Sequence, residues 1–470
     1  MSKSVFRIQL ALFSREKGML IFYFIGIALT GIAAPVFYHG MGASLPLTAI
    51  MTTMFLKPIL ADSLAGEREK KTLESLLSTR INGKAIIWGK FRFSLCFAAG
   101  FFGATVLCAA LTNMIAGYGI GVKAWQWACA LVMATLHFTA TAVSGVYASA
   151  TSADARTANS RVSRIAYVLG LLFIVYLSVV FTEELIASLT VGGSLALVYL
   201  CVAISYAIHV AKMKQSDYFE NVKAKQTRKA TEHYEGNPPK SQFGVVFAHE
   251  LRYLWTLKTL LLNFVFLCFC PAILVALLKY FTGEVDLYYG VLLTALMLPR
   301  APTNLIAYSI GGEKVYQTGE SLLSTPLRLR PMFLAKSMIP VMVSAIMLSV
   351  SALLTLIAAN LIGVFAESGA VYHYTADQLV LLFPAGIMSC VTMVFITGIL
   401  SVNMKTPRQG LYVSSLLGII FAAPPLAIVY LTQHALMWSV IYFAVLLLCS
   451  ALCVKSISDK VSRPRIMSKL

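Results

Sequence analysis

The chain has 470 residues, of which 58% are hydrophobic and only 12% charged. Soluble globular proteins carry about 25% charged residues, so an ordinary water-soluble fold is excluded. The formal net charge of +18 does not point to nucleic acid, because the cations lie between apolar runs rather than on a folded domain interleaved with aromatics.

Taken in chain order, the first element is amphipathic: "VFRIQLALFSREKG" from Val5. It mixes cations with an apolar face and is expected to lie along the membrane surface. It is too long and too amphipathic for the start of a cleavable signal, so the first apolar run reads as a retained anchor. A helix that crosses about 30 Å of hydrocarbon needs about 20 apolar residues. Twelve runs approach or reach that length, near residues 19–38, 42–60, 91–118, 124–150, 162–182, 185–211, 258–281, 287–311, 337–363, 378–403, 409–431 and 435–455. A membrane barrel would instead alternate apolar and polar residues over segments of about ten. The expected fold class is an all-α polytopic membrane protein with about 12 transmembrane helices.

Twelve spans with both termini on one side sort the 38 Lys and Arg unevenly. Lys123 and Lys279 fall on one side, Arg300 is the only cation deep in a span, and the other 35 lie at the N-terminus, in alternate loops and in the tail. Cationic loops stay in the cytoplasm during insertion, so both termini are expected there. The opposite side holds Glu183, Glu184, Glu284, Asp286, Glu367 and Asp377.

Residues 212–242 are charged, poor in apolar side chains and carry Pro238 and Pro239, the composition of a cytoplasmic linker. It separates a first six-span half, 1–211, from a second, 243–470. The second half opens on another amphipathic stretch, "VFAHELRYLWTLK" from Val246, with Leu251 in the place of Leu10. After the second span of each half the similarity becomes decisive. Residues 66–90 read "GEREKKTLESLLSTRINGKAIIWGK", residues 312–336 read "GEKVYQTGESLLSTPLRLRPMFLAK", and 10 of the 25 positions are identical without a gap. This is an internal repeat. With an even number of spans in each half, the two copies run parallel.

In the first copy Leu73, Leu76 and Leu77 fall on one helix face beside Glu67, Glu69, Glu74, Lys70 and Lys71, the pattern of a short amphipathic surface helix. Gly66 and Gly312 precede the acids, where a chain leaving a span and reversing favours glycine. Glu67 and Glu69 suit the positive end of a helix dipole, and Pro326 stops the second copy. A loop whose charges only hold the topology is the plain alternative for one copy. Two copies that keep their acids favour a specific contact.

The strings "GEREKKTLESLLST" and "GEKVYQTGESLLSTP" resemble the signature G-E-x-E-x-G-T-L-E-x-L-L-x-x-P of the type 2 ABC exporter permeases. The resemblance implies that each string is a coupling helix docking on a separate cytoplasmic ATPase, and that each preceding surface segment is a connecting helix touching the same subunit. It carries an ATPase-coupling role onto Gly66, Glu67, Glu69, Thr72, Glu74, Leu76 and Leu77, and onto Gly312, Glu313, Thr318, Glu320, Leu322 and Leu323. It also implies two copies of the ATPase as partner, membrane lipid around the spans, and multi-pass residence in a prokaryotic plasma (inner) membrane. The cargo class it allows is amphipathic, peptide, drug or lipid-like. Arg80 stands where the signature has proline, Val315 replaces the second acid and Gly319 the first leucine, so the second docking surface is expected to be weaker.

A phosphate-binding loop of the P-loop type needs G-x-x-x-x-G-K-[ST], and no such loop occurs. No cofactor is therefore expected on this chain, with ATP and Mg on the partner, and the chain is not expected to be an enzyme. An ion-coupled secondary transporter is the main rival. Such carriers place carboxylates within the membrane, whereas all 20 Asp and Glu here map to loops, surface helices or span ends. A membrane assembly factor of the same architecture is a second rival. The nine cysteines lie in apolar runs without zinc spacing. His137, among the small residues of "HFTATAVSG", suits a hydrogen-bonded contact between helices or a cavity wall. Arg300, between Pro299 and Pro302, either lines a cavity or snorkels to the interface. Pro424 and Pro425 allow a helix that re-enters the membrane from outside.

Overall fold

Regular structure among the described residues is helical. A computed structural model describes residues 2–15, 17–38, 44–69, 72–73, 83–117, 123–152, 154–181, 185–213, 241–256, 258–282, 287, 290–291, 294, 300–315, 329–365, 371–402, 407–431 and 434–460. No strand occurs among the described residues. Seven helices are long and apolar enough to cross a membrane: Gly83–Ile115, Ala124–Ala150, Ala155–Leu177, Leu185–Lys212, Arg330–Ile362, Ala376–Ser401 and Ala435–Ser456. The pair Gln242–Trp255 and Leu260–Ala276, bent by 77°, makes an eighth if taken as one span. Expected runs near 19–38, 42–60 and 409–431 are helical but fall outside this set, and the run 287–311 is described mainly from Arg300 onward.

The surface chemistry fits a membrane environment. Ile186, Leu189, Leu197, Leu200 and Ile204 line the helix Leu185–Lys212 with exposed apolar side chains. A soluble monomer rarely exposes so continuous an apolar surface, while lipid tails cover it at no cost.

The chain divides into two compact units, Met1–Tyr234 and Glu235–Leu470. In the first, the amphipathic helix Ser2–Arg15 packs along the start of Gly83–Ile115. Edge-to-face rings join them: Phe6–Phe93 at 6.3 Å, Phe13–Phe93 at 6.1 Å and Phe13–Phe97 at 5.3 Å. The next helical run, Lys17–Ala28, continues through a π-turn at Leu29–Ala33 into Ala34–Tyr38. The helix Ser44–Ala61 is the centre of this unit, buried at every position from Met51 to Ala61 by Gly83–Ile115, Ala124–Ala150 and Ala155–Phe181. Gly145 permits one close crossing, since a Cβ there would stand 2.6 Å from Leu60 Cδ1. Small residues let backbones approach in this way where no hydrophobic effect drives helices together.

In the second unit the amphipathic helix Gln242–Thr256 packs on the long helix Leu329–Phe365, as does Lys258–Thr282. The helix Pro407–Leu431 runs unbroken through Pro424 and Pro425, so the chain makes no turn at the re-entrant point these prolines allow. Pro425 has no N–H to offer the carbonyl four residues back. Tyr442 Oη, from the helix Ala435–Lys460, donates to that carbonyl, Phe421 O, at 2.6 Å. The lost backbone bond is replaced from outside, which is how membrane helices tolerate proline.

One buried cation overturns an expectation. Lys57, inside the helix Ser44–Ala61, is 3% exposed, and its ammonium sits 3.8 Å from the centre of the Tyr167 ring. Arg300 is thus not the only cation within an apolar run.

Candidate functional site

After the second apolar run of the first unit, and on the flanks of the corresponding segment of the second, polar contacts are concentrated. In the first unit the helix from Ser44 does not reverse at Gly66. It passes through a π-turn at Asp62–Gly66 and continues over Glu67–Glu69. Among the described residues only Gly117 has a positive φ, so Gly66 is not there for backbone freedom. The Asp62 carboxylate folds over it and would collide with any Cβ.

A π-turn widens the helical ladder and frees backbone groups for other partners. Ser149, fully buried on the helix Ala124–Ala150, meets them: its Oγ accepts from Leu64 N and Ala65 N, each at 3.0 Å, and donates to Ala61 O at 2.9 Å. Arg68 and Glu69 then reach the turn after that helix. The Arg68 guanidinium donates to Ala150 O at 2.8 Å and to Ser152 O. Glu69 Oε1 accepts from Ala155 N, the first amide of Ala155–Phe181, at 2.9 Å. A cation thus meets a helix C-terminus and an anion meets the next N-terminus, both favoured by the helix dipoles. Burial pushes the Arg68 guanidinium below its ordinary value, yet arginine stays charged in proteins. Replacing Ser149 by alanine strands buried backbone groups, at about 1–3 kcal/mol. Thermal unfolding of the purified variant should show that loss, and Ser149→Thr, which keeps the hydroxyl, should show less of it.

Glu67 turns inward. Its Oε1 is 2.5 Å from Lys90 Nζ, and Lys90, 3% exposed, also donates to Ser63 O. Gln9, on the amphipathic helix Ser2–Arg15, donates to Glu67 Oε1 at a long 3.5 Å. The second unit has the same arrangement. Lys336 Nζ lies 2.7 Å from Glu313 Oε1, 2.5 Å from Glu250 Oε1 and 2.8 Å from Ser309 Oγ. Ser309 Oγ donates to Glu250 Oε1 at 3.2 Å. Ser63, Glu67 and Lys90 precede Ser309, Glu313 and Lys336 by 246 residues each, and Gln9 and Glu250 each stand one residue before the matched Leu10 and Leu251. In both units, then, a lysine at the start of a long helix ties that helix to the end of the preceding one; in the second unit it also reaches the amphipathic helix through Glu250, whereas in the first Gln9 of the amphipathic helix reaches Glu67.

Of the other residues singled out in the sequence, Thr72 is exposed and donates to Glu67 O at 3.2 Å, while Leu73 is buried. Glu74, Leu76, Leu77, Thr318, Glu320, Leu322 and Leu323 lie outside the described residues. Gly312 lies within the helix Arg300–Val315, which Arg300 begins, and the Arg300 side chain lies outside the described part. His137 has no exposed surface. Its Nε2 is 3.0 Å from Thr53 Oγ1, and its ring stacks on Phe173 at 5.2 Å and meets the Tyr199 ring edge-on at 5.8 Å. That is the geometry of a side chain locked between helices.

Sequence reasoning gave no role to the two lysines, Ser63, Ser309, Gln9, Glu250 or Ser149. One signal was available: over the last eleven positions of the repeat, 80–90 against 326–336, the lysine is the only identity. No protein-family model matches the chain, and no curated protein matches its sequence.

Proposed function

We propose that the chain is the membrane-spanning permease of an ATP-driven ABC exporter, built from two parallel six-span halves with about 12 transmembrane helices. The observation that carries this reading is the twinned lysine joint, Lys90 with Glu67 and Lys336 with Glu313. It sits where the coupling signature "GEREKKTLESLLST" and its second copy begin. A segment that receives force from a partner must be fixed to the helices it moves, and these joints do that. In this reading Glu67 and Glu313 set the pose of the coupling segments from within. The exposed Thr72 faces a cytoplasmic ATPase, present in two copies, which carries ATP and Mg. Both termini lie in the cytoplasm of a prokaryotic cell whose inner membrane holds the spans, and the cargo is amphipathic, peptide, drug or lipid-like.

Cysteine introduced at the exposed Thr72 tests this in native membranes. A crosslink to an ABC ATPase, with transport that follows ATP and survives collapse of the ion gradients, is the expected result. Transport that follows an ion gradient without ATP would overturn the reading in favour of a secondary carrier.

A further inference from the structure

Cations and aromatic rings gather where three helices of the first unit begin or end. Arg161 and Arg164 stand three residues apart on Ala155–Phe181 and so share one face. The Arg161 guanidinium donates to Thr151 O and Oγ1, each at 3.3 Å, just past the helix Ala124–Ala150. One turn back on that helix, the Tyr147 ring packs on Tyr206 at 5.4 Å and on His209 at 5.7 Å, both from the end of Leu185–Lys212. Arg161 and Tyr206 both act electrostatically on Arg164. The Arg164 Nε is buried without a hydrogen-bond partner, and among the described residues no carboxylate pairs with either arginine. Lys212 follows on the surface, and Ile204 and Ile208 expose apolar side chains on the same helix. Arg68, which reaches Ala150 O and Ser152 O, places the cluster at the same end of the unit as the Lys90 joint.

We propose that this cluster binds the phosphate of an anionic phospholipid, with Arg161, Arg164 and His209 around the headgroup and the acyl chains along Ile204 and Ile208. Two like charges one turn apart repel, and an anion seated between them turns that repulsion into attraction. Arg161 commits one nitrogen, Nη1, to Thr151, and the rest of its guanidinium can still donate. Paired N–H groups of arginine match the oxygens of a phosphate. Tyrosine rings belong at headgroup depth, and basic pockets between membrane helices take anionic headgroups. Inorganic phosphate shares the headgroup chemistry but has no chains to lay on Ile204 and Ile208. The inference concerns the surrounding lipid and stands whatever the chain transports.

Titration of the full chain in neutral detergent with phosphatidylglycerol, read by native mass spectrometry, tests it. Phosphatidylglycerol should bind in preference to zwitterionic phosphatidylcholine, and inorganic phosphate should not displace it. The double variant Arg161→Gln, Arg164→Gln should weaken the tightest phosphatidylglycerol site by about 10- to 100-fold, as charge-assisted bonds to one phosphate are lost. Arg161→Lys with Arg164→Lys also gives up the arginine geometry at Thr151 but keeps both charges, and it should retain most of the affinity. A control pair, Arg330→Gln with Lys455→Gln, removes two exposed cations of the second unit and should leave that site unchanged. An equal loss from the control pair would mean diffuse attraction to the whole cationic surface and overturns the proposal. Unchanged affinity in the glutamine pair overturns it as well, and so does displacement of the lipid by inorganic phosphate.

Discussion

Replacing Lys336 by methionine should sharply lower the stability of the second unit. The lysine is 4% exposed at its side chain, and two carboxylates converge on it, Glu250 at 2.5 Å and Glu313 at 2.7 Å. Methionine fills similar volume without charge, so the change removes the cation and leaves both acids behind. Breaking a buried ion pair from one side costs about 3–5 kcal/mol, because the remaining charge is stranded in a poor solvent. Here two anions are stranded side by side and also repel. Thermal unfolding in detergent should show a large downward shift, and the protein level in membranes should fall with it. The triple variant that adds Glu250→Gln and Glu313→Gln removes the charges together and should recover most of the loss. An unshifted unfolding temperature in Lys336→Met would mean that solvent reaches the cluster and that the joint is an ordinary surface pair.

On the proposed exporter reading, removing the matched acids singly should have unequal consequences for transport, with Glu67→Ala the more damaging. In the second unit, Glu313→Ala leaves Lys336 its 2.5 Å contact with Glu250, so the surface helix and the long helix stay joined. In the first, Glu67→Ala removes the 2.5 Å contact with Lys90, and the residue matched to Glu250 is the uncharged Gln9. A hydrogen bond to a charged group contributes about 1.5–3 kcal/mol, which places the expected fall in ATP-driven transport near 10- to 100-fold for Glu67→Ala. The Glu313→Ala variant should stay within a few-fold of wild type, with both complexes still assembled. Equal losses from the two changes would show that Glu250 does not secure its joint. No loss from either would remove the acids from the coupling machinery altogether.

Much of the helical framework was legible because its signal is cumulative. An apolar run such as 185–211 announces a spanning helix through some twenty residues at once, and a few polar positions do not disturb it. The joints were harder to read because each is made by single residues far apart in the chain. Gln9, Ser63, Glu67 and Lys90 meet only after three helices have come together. The acids were visible as matched positions, but their direction was not: an amphipathic pattern shows which face is polar, not whether a carboxylate on it turns to solvent or to a buried lysine. Gly66 was misread for a similar reason. Glycine favours turns, and nothing local revealed that Asp62 would occupy the space of its missing side chain. Lys57 was lost among the cations of the following loop, although Pro58 and the flanking "MFL" and "ILA" mark it as lying inside the apolar run.

The length of the two joint-bearing helices makes bilayer thickness a mechanical input. Gly83–Ile115 has 33 residues and Leu329–Phe365 has 37, which at 1.5 Å per residue gives rods of about 50 and 55 Å. The hydrocarbon layer is only about 30 Å deep, so each rod must lean, protrude or do both. Leaning is the ordinary response of an overlong hydrophobic segment, and it varies with the lipid. Lys90 and Lys336 sit eight positions into their helices, near the end where the apolar stretch begins. Where a rod leans, a thinner bilayer should tip it further and carry its lysine sideways. Acyl-chain length in reconstituted vesicles is thus a control on this protein as direct as any substitution.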